Sequence, residues 1–543
     1  MKDHRLEFAT HRSPVIGIRG TVASSQPLAT AAGLAVLQKG GNAVDAAVAT
    51  AAALNLTEPG STGLGGDAFC LIYDAKSRQV HALNASGRAP LALSLERLKK
   101  EGITSLPARH PYNITVPGAC AGWCDAVSRY GRLNMSDVLA PAIKLAEEGF
   151  PVAPIAAHGW QASARLALSK SLNGLELTIN GRGPQAGEIF RNPGIARTMR
   201  KIAEGGKQAF YQGDIAESIA SIVQEAGGVL AVEDLAAHES TWVDPISIDY
   251  RGVRVWECPP NGQGIAALMA LSILSAYDLT QYDPLSPERY HLEIEAMRLA
   301  FADARRYVTD PTAYNIPIAE MLSESYAAER RKLINMESAN QETLHGYPVG
   351  RSDTIYLSVV DGEGNACSFI NSLYMGFGSA IVPYGLGFAL QNRGANFNLE
   401  PDHPNALAPG KRPYHTIIPA MATYAADNSL YASFGVMGGF MQPQGHMQVV
   451  VGMVDDQLDP QSVLDRPRFC IQANTDLGLV SLEEGIPVKT MAALAELGHR
   501  VKPVSGYGRS EFGKGQIIWR DPESGVLWAG SDPRADGCAM TLL

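Results

Sequence analysis

The chain has 543 residues, of which 46% are apolar and 18% charged, and its formal net charge is -10. That is enough apolar material for one large core or several domains, which excludes a disordered chain. An acidic balance without a run of lysines or arginines offers no field to gather phosphates, so nucleic acid is not an expected partner.

The N-terminal segment MKDHRLEFATHRSP is mixed and polar, without the apolar core that a signal peptide or anchor requires. The longest apolar stretch, Ala46 to Leu56, is alanine-rich and too short to span a bilayer. No membrane partner is expected, and a cytoplasmic location follows. From Gln26 to Gly40 the apolar spacing predicts a helix stopped by Gly40 and Gly41. The next helix, about Ala43 to Leu56, is apolar on nearly every side and so predicted to be buried. Further helices are predicted over Ser136 to Glu148 with Ser136 as its cap, Asp214 to Ala226, and Pro287 to Val308.

Gly346 to Asp353 reads as an exposed polar loop, and after it the character changes. TIYLSVV and ACSFINSL across DGEGN predict a β-hairpin, as do IIPAMATYA with LYASFGVM and GQIIWRD with GVLWAGS. Helices at about Gln442 to Val454 and Val488 to Leu497 intervene. Helices packed on antiparallel sheets define an α+β fold, a four-layer αββα sandwich, rather than alternating βαβ units. The seven cysteines, Cys70, Cys120, Cys124, Cys258, Cys367, Cys470 and Cys538, lack zinc or disulfide spacing, with only Cys120 and Cys124 close together. The histidines show no H-E-x-x-H pattern. Reduced structural thiols are expected, and neither a metal nor a cofactor.

Several segments match a known family in order along nearly the whole chain: PLATAAGLAVLQKGGNAVDAAVATAAAL, GLGGDAF, VPGACAGW, FADARRYVTDP, DTIYLSVVDGEGNA, PGKRP, VMGGF and SDPRADG. The chain resembles the γ-glutamyltransferases (glutathione hydrolases) and their acylase relatives. The resemblance implies the N-terminal-nucleophile type of αββα fold and self-cleavage between Asp353 and Thr354. It would give a large fragment, 1–353, and a small one, 354–543, intertwined as a heterodimer, with a dimer of heterodimers left open. Thr354 then becomes the nucleophile, because a threonine hydroxyl is weak without a base and a liberated α-amine, with a reference pKa of about 7.7 to 8.0, can be one. Ser372 matches the family's second hydroxyl, and Gly438 and Gly439 match the glycine pair whose N–H groups hold the oxyanion.

The chain departs from the family where γ-glutamyl donors are recognised. Ser86 stands at the carboxylate-binding arginine, with Arg88 displaced by two residues; His415 and Thr416 replace the hydroxyl pair; Tyr374, Arg393 and Asn396 occupy the amine-binding positions. Arg393, Arg88 and His415 favour a carboxylate and repel an ammonium. The expected substrate is a small-molecule amide: a γ-glutamyl or similar small acyl compound, or alternatively oxamate or a glutaryl-type amide without an α-amino group. A short segment between Asn396 and His415 favours hydrolysis over transfer. Two rivals stand beside this. Gly63 to Ala68 imitates a dinucleotide fingerprint, but follows a helix and precedes a strand, the reverse of what that motif needs. A non-catalytic relative would keep the fold without the chemistry.

Overall fold

The computed structural model describes residues 12–340, 352–472 and 478–543. The N-terminal segment up to residue 11 and most of the expected loop, 346–351, lie outside the described residues, while Ser352 and Asp353 already belong to a strand. Two seven-stranded antiparallel sheets carry the fold. In chain order their strands are β1 (Val15–Gly17), β2 (Gly20–Ser24), β3 (Asp67–Asp74), β4 (Gln79–Ala85), β5 (Thr241–Val243), β6 (Ile246–Tyr250) and β7 (Val253–Glu257). They continue with β8 (Ser352–Asp361), β9 (Ala366–Met375), β10 (Ala420–Tyr424), β11 (Leu430–Met437), β12 (Lys514–Arg520), β13 (Leu527–Ser531) and β14 (Cys538–Thr541). One sheet runs β14-β2-β8-β9-β3-β4-β5 and the other β1-β13-β12-β11-β10-β7-β6.

Alternation along a strand sorts side chains between two faces, and β8 shows the result. Ile355, Leu357 and Val359 join the core beneath the helices Pro27–Gln38 and Ala43–Thr57, while Tyr356 and Val360 join the core between the sheets. The second sheet carries the helices Gly264–Leu274, Pro287–Tyr307 and Met441–Val454 on its outer face. The layers are therefore α, β, β, α. The sheets approach closely where Gly435 of β11 faces Tyr356; a Cβ there would lie 2.6 Å from the ring.

The helix predicted to be buried is buried at every position from Ala43 to Thr57. Its first turn is closed by Asn42, which accepts from Val44 and Asp45 N–H, while the Asp45 carboxylate accepts from Asn42 N–H. The three predicted hairpins form, as do the predicted helices at Asp214–Glu225, Pro287–Tyr307, Met441–Val454 and Val488–Glu496. One cap differs: the helix Met135–Glu148 starts from Asn134, which accepts from Asp137 N–H at 2.9 Å, whereas Ser136 donates to Ala203 O. Asn134 stands three residues before Asp137, the geometry a cap needs, and Ser136 is already inside the first turn. All seven cysteines are free thiols. Among the described residues no helix is long and apolar enough to cross a membrane.

Candidate active site

β8 and β9 pair regularly until the start of β8, where Ile355 faces Asn371 but Asp353 faces Tyr374. Two steps on β8 are met by three on β9, so Ser372 and Leu373 both lie opposite Thr354: β9 bulges. Tyr374, next along, has φ +78, a region a bulky side chain enters only when its surroundings force it. The bulge turns the Ser372 hydroxyl toward Thr354. Ser372 Oγ accepts from Tyr374 N–H at 2.8 Å and lies 3.1 Å from Thr354 Oγ1, both residues being fully buried.

A third group joins them. Arg393 opens a short 3-10 turn ending at Asn396, and no part of it reaches solvent. Its Nη2 donates to Ser372 Oγ at 3.2 Å, its Nη1 donates to Thr416 Oγ1 at 2.6 Å, and its Cζ sits 4.5 Å from the Tyr374 ring centre. Burial lowers its pKa to about 10, against the charge of Asp67, so it remains a cation at neutral pH. Arg393 Nε and Asn396 Nδ2, three residues apart on the same turn, are buried donors without a partner. Each such donor costs about 1–3 kcal/mol unless something accepts from it.

Asp67 lies opposite Ser372 in the β3–β9 pairing, on the far side from β8. Its Oδ1 accepts from Gly87 N–H, Gly118 N–H and Gln391 Nε2 at 2.8, 3.2 and 2.9 Å, and its Oδ2 from His415 Nε2 at 3.0 Å. Burial alone would raise this carboxyl, but the His415 hydrogen bond and the charge of Arg393 hold it below the usual range. His415 is driven down to about 3, by burial first and then by repulsion from Arg393. The pair is thus a carboxylate and a neutral imidazole. Its proton is on Nε2, because Oδ2 can only accept, and Nδ1 accepts from Ile417 N–H at 3.3 Å.

Gly438 and Gly439 join β11 to the helix Met441–Val454 at φ +131 and +60, values that suit glycine. Gln263 ties this turn to the rest: its Nε2 donates to Gly439 O at 2.8 Å and to Thr416 O at 2.7 Å. Ser86 is buried in a polar knot with Asn84 and Asn261. Arg88 turns elsewhere, pairing with Asp310 at 3.0 Å and donating to Gly410 O, so its charge is already met. The segment after Asn396 folds onto a small core of its own, with Phe397 and Leu407 against Ala89, Leu93 and Leu98.

The structure therefore gathers Thr354, Ser372, Tyr374, Arg393 and Thr416 in one bonded group, with His415 bound to Asp67, the strand partner of Ser372, and Gly439 tied to Thr416 through Gln263. Asp67, Gln263 and Gln391 were not foreseen. Asp67 was the one acid inside the GLGGDAF run, which was the available signal; the two glutamines carried none. Elsewhere among the described residues, His291, Glu295 and His499 form a buried trio with metal-ligand chemistry. The two imidazoles hydrogen-bond at 2.7 Å and Glu295 is already engaged by Arg298 and by Asn340 N–H, so a dication would sit beside a guanidinium.

The family model for gamma-glutamyltranspeptidase matches residues 29–542. The glutathione hydrolase-like YwrD proenzyme of Bacillus subtilis is 38% identical over 97% of this chain and 99% of its own. The oxamate amidohydrolase proenzyme of Klebsiella pneumoniae is 33% identical over 96% and 98%. Among solved structures, a cephalosporin acylase from Bacillus halodurans superposes with a TM-score of 0.91 at 45% identity, covering 99% of this chain and 98% of that one. With the αββα layers and the Thr354–Ser372 pair already in view, the chain belongs to the gamma-glutamyltranspeptidase family and is an amide-bond hydrolase or acyltransferase of the N-terminal-nucleophile type.

Proposed function

We propose that this chain is a precursor that cuts itself between Asp353 and Thr354 and then hydrolyses a small acyl amide whose acyl part carries an acceptor group, such as a carboxylate, and no α-ammonium. In the first step Thr354 Oγ attacks the Asp353 carbonyl, the peptide nitrogen leaves as the Thr354 amine, and water hydrolyses the resulting ester. The fragments 1–353 and 354–543 stay together as a heterodimer.

In each later turnover the free amine takes the Oγ proton as Oγ bonds to the acyl carbon, and passes that proton to the departing nitrogen as the C–N bond breaks. Water then frees the acid and restores the hydroxyl. Ser372, carrying two N–H donors on its oxygen, gives its own hydrogen to Thr354 Oγ. The N–H groups of Gly438 and Gly439 receive the oxyanion; one such donor is worth about 10² to 10³ in rate.

The observation that carries the reading is the 3.1 Å contact between Thr354 Oγ1 and Ser372 Oγ at the head of a strand, with Arg393 bound to the second hydroxyl. For the substrate, the unpaired Arg393 Nε and Asn396 Nδ2 call for an acceptor, which a carboxylate or carbonyl supplies. Asp67 offers an ammonium no ready hydrogen-bond contact, because four donors already surround it. Arg88 and His415 are assigned to the frame rather than to the substrate.

A denaturing gel tests the processing: 57.9 kDa divided by residue number gives fragments of about 38 and 20 kDa. Thr354→Ala is expected to stay one chain and to lose turnover; a Thr354→Ala protein that still hydrolyses amides ends the proposal. Side-by-side rates on glutathione, a γ-glutamyl anilide, glutaryl anilide and oxamate decide the substrate. Strong preference for the γ-glutamyl compounds would overturn the exclusion of an ammonium.

A further inference from the structure

Arg393 has two ends with different surroundings. Its Nε is the end without a partner, while both Nη atoms are committed, one to Thr416 Oγ1 and one to Ser372 Oγ. The side chain is fully buried, with Cζ 4.5 Å from the Tyr374 ring centre, so it has little room to swing away from Ser372. Ser372 Oγ is in turn 3.1 Å from Thr354 Oγ1. A guanidinium, a hydroxyl and the proposed nucleophile thus stand in one hydrogen-bonded line inside a buried site.

We infer that Arg393 is a positioning residue for the nucleophile as well as a substrate ligand: through Ser372 it lends its positive charge to Thr354, favouring the alkoxide-like oxygen and the neutral form of the terminal amine. This rests on Thr354 being the nucleophile. The same charge serves self-cleavage, where the amine is still locked in a peptide and only the hydroxyl can be helped.

The other groups packed around this line bear on its sign. Tyr374 from β9 and Tyr414 from the loop before β10 are pushed up by burial, and His415 is pushed down, so all three are neutral near pH 7. Among the described residues, the charges that bear on these groups include Arg393, the Asp67 carboxylate on β3, Arg305, which acts on Tyr414, and Arg412, whose guanidinium donates to Ser86 O, Glu239 O and Thr241 Oγ1. Asp67 opposes what Arg393 does. A unit charge within roughly 10 Å of an amine, at an effective dielectric of about 20 to 40, moves its pKa by about one unit. The two residues should therefore move the amine in opposite directions.

The test is the pH dependence of kcat/KM for glutaryl anilide on the matured protein, whose acidic limb reports the free enzyme's base. Arg393→Gln is expected to move that limb up by about one pH unit, to lower kcat at pH 7 by about tenfold or more, and to slow self-cleavage. Arg393→Lys, which keeps the charge, is expected to hold the limb near its wild-type position. Asp67→Asn is expected to move it down. Limbs that coincide in all variants overturn the inference, as does an Arg393→Gln protein changed in KM alone, which would make Arg393 a substrate ligand only. Should Arg393→Gln fail to mature, Asp67→Asn decides: an unmoved limb sinks the idea. Failure of the underlying reading looks different, since it appears as turnover in Thr354→Ala whatever the limbs do.

Discussion

Ser372→Ala removes one oxygen that accepts from two donors. The Tyr374 N–H loses its acceptor at 2.8 Å and Arg393 Nη2 loses its acceptor at 3.2 Å, both inside a site with no solvent access. An amide hydrogen bond is worth about 0.5–1.5 kcal/mol and one to a charged group about 1.5–3 kcal/mol, so the fold should lose about 2–4 kcal/mol. Turnover should suffer separately. The lost group is the hydroxyl 3.1 Å from Thr354 Oγ1, and removing one donor to a developing oxyanion typically lowers kcat by about 10² to 10³. Because that donation matters most in the transition state, kcat and kcat/KM should fall together while KM stays level. The assay has two arms: urea unfolding of the matured protein, and hydrolysis of an acyl anilide at saturation, normalised to the processed fraction on a gel. Ser372→Thr, which keeps the hydroxyl, should recover to within about tenfold. A Ser372→Ala enzyme whose kcat stays within about threefold of wild type, or whose KM alone changes, refutes the role given to this oxygen.

Acid should unfold the protein in an early window. Burial holds His238, His415 and His446 down to about 3 and His499 to about 2. In the unfolded chain each titrates near 6.5, so below that pH the unfolded state binds more protons and stability falls as pH falls; above it the contribution is fully present. Four such groups give a slope of about 5 kcal/mol per pH unit by pH 5. Thermal unfolding followed from pH 7.5 to 5.0 checks this, and a flat Tm through that range contradicts it. Arg88→Ala should cost little, since Asp310 keeps the donors of Arg412 N–H, Thr312 N–H and Thr312 Oγ1. The arginine is 37% exposed, so its ion pair is worth at most about 1 kcal/mol, and acyl-amide KM should stay within about threefold. A collapse in KM would put Arg88 back at the substrate.

Sequence patterns carry local information, and the parts of this fold that are local were legible. The alanine-rich run from Ala43 to Leu56, apolar on nearly every side, announced a buried helix, and the hairpin of β8 and β9 announced itself through DGEGN. Pairings between distant segments were not legible. β3 lies beside β9, which brings Asp67 opposite Ser372, yet just over three hundred residues separate the two and no periodicity reports which strands will be neighbours. The same limit governed the charged residues. Arg393, Arg88 and His415 looked equivalent as carboxylate ligands because their types were visible and their partners were not. Asp310 takes Arg88, Asp67 takes His415, and of the three Arg393 alone keeps a buried donor without a partner. The bulge at Ser372 and Leu373 was equally hidden, since it is a property of register between two strands and not of either strand alone.

That register also explains how such a chain tolerates the proposed cut. In the sheet order β14-β2-β8-β9-β3-β4-β5, strands from before and after Asp353 interleave: β2 lies between β14 and β8, and β9 is held by β3. A break before Thr354 severs one peptide bond and leaves those ladders intact. Both flanking cores draw side chains from the two segments, and Arg289 pairs with Asp456 across the same divide at 2.9 Å. Pairing is already irregular at the bulge opposite Thr354, so the cut falls where this ladder has little to lose. Separating the fragments would mean exposing both cores at once, whereas freeing the Thr354 amine asks for no such exposure, and an enzyme made this way gains its base without giving up its fold.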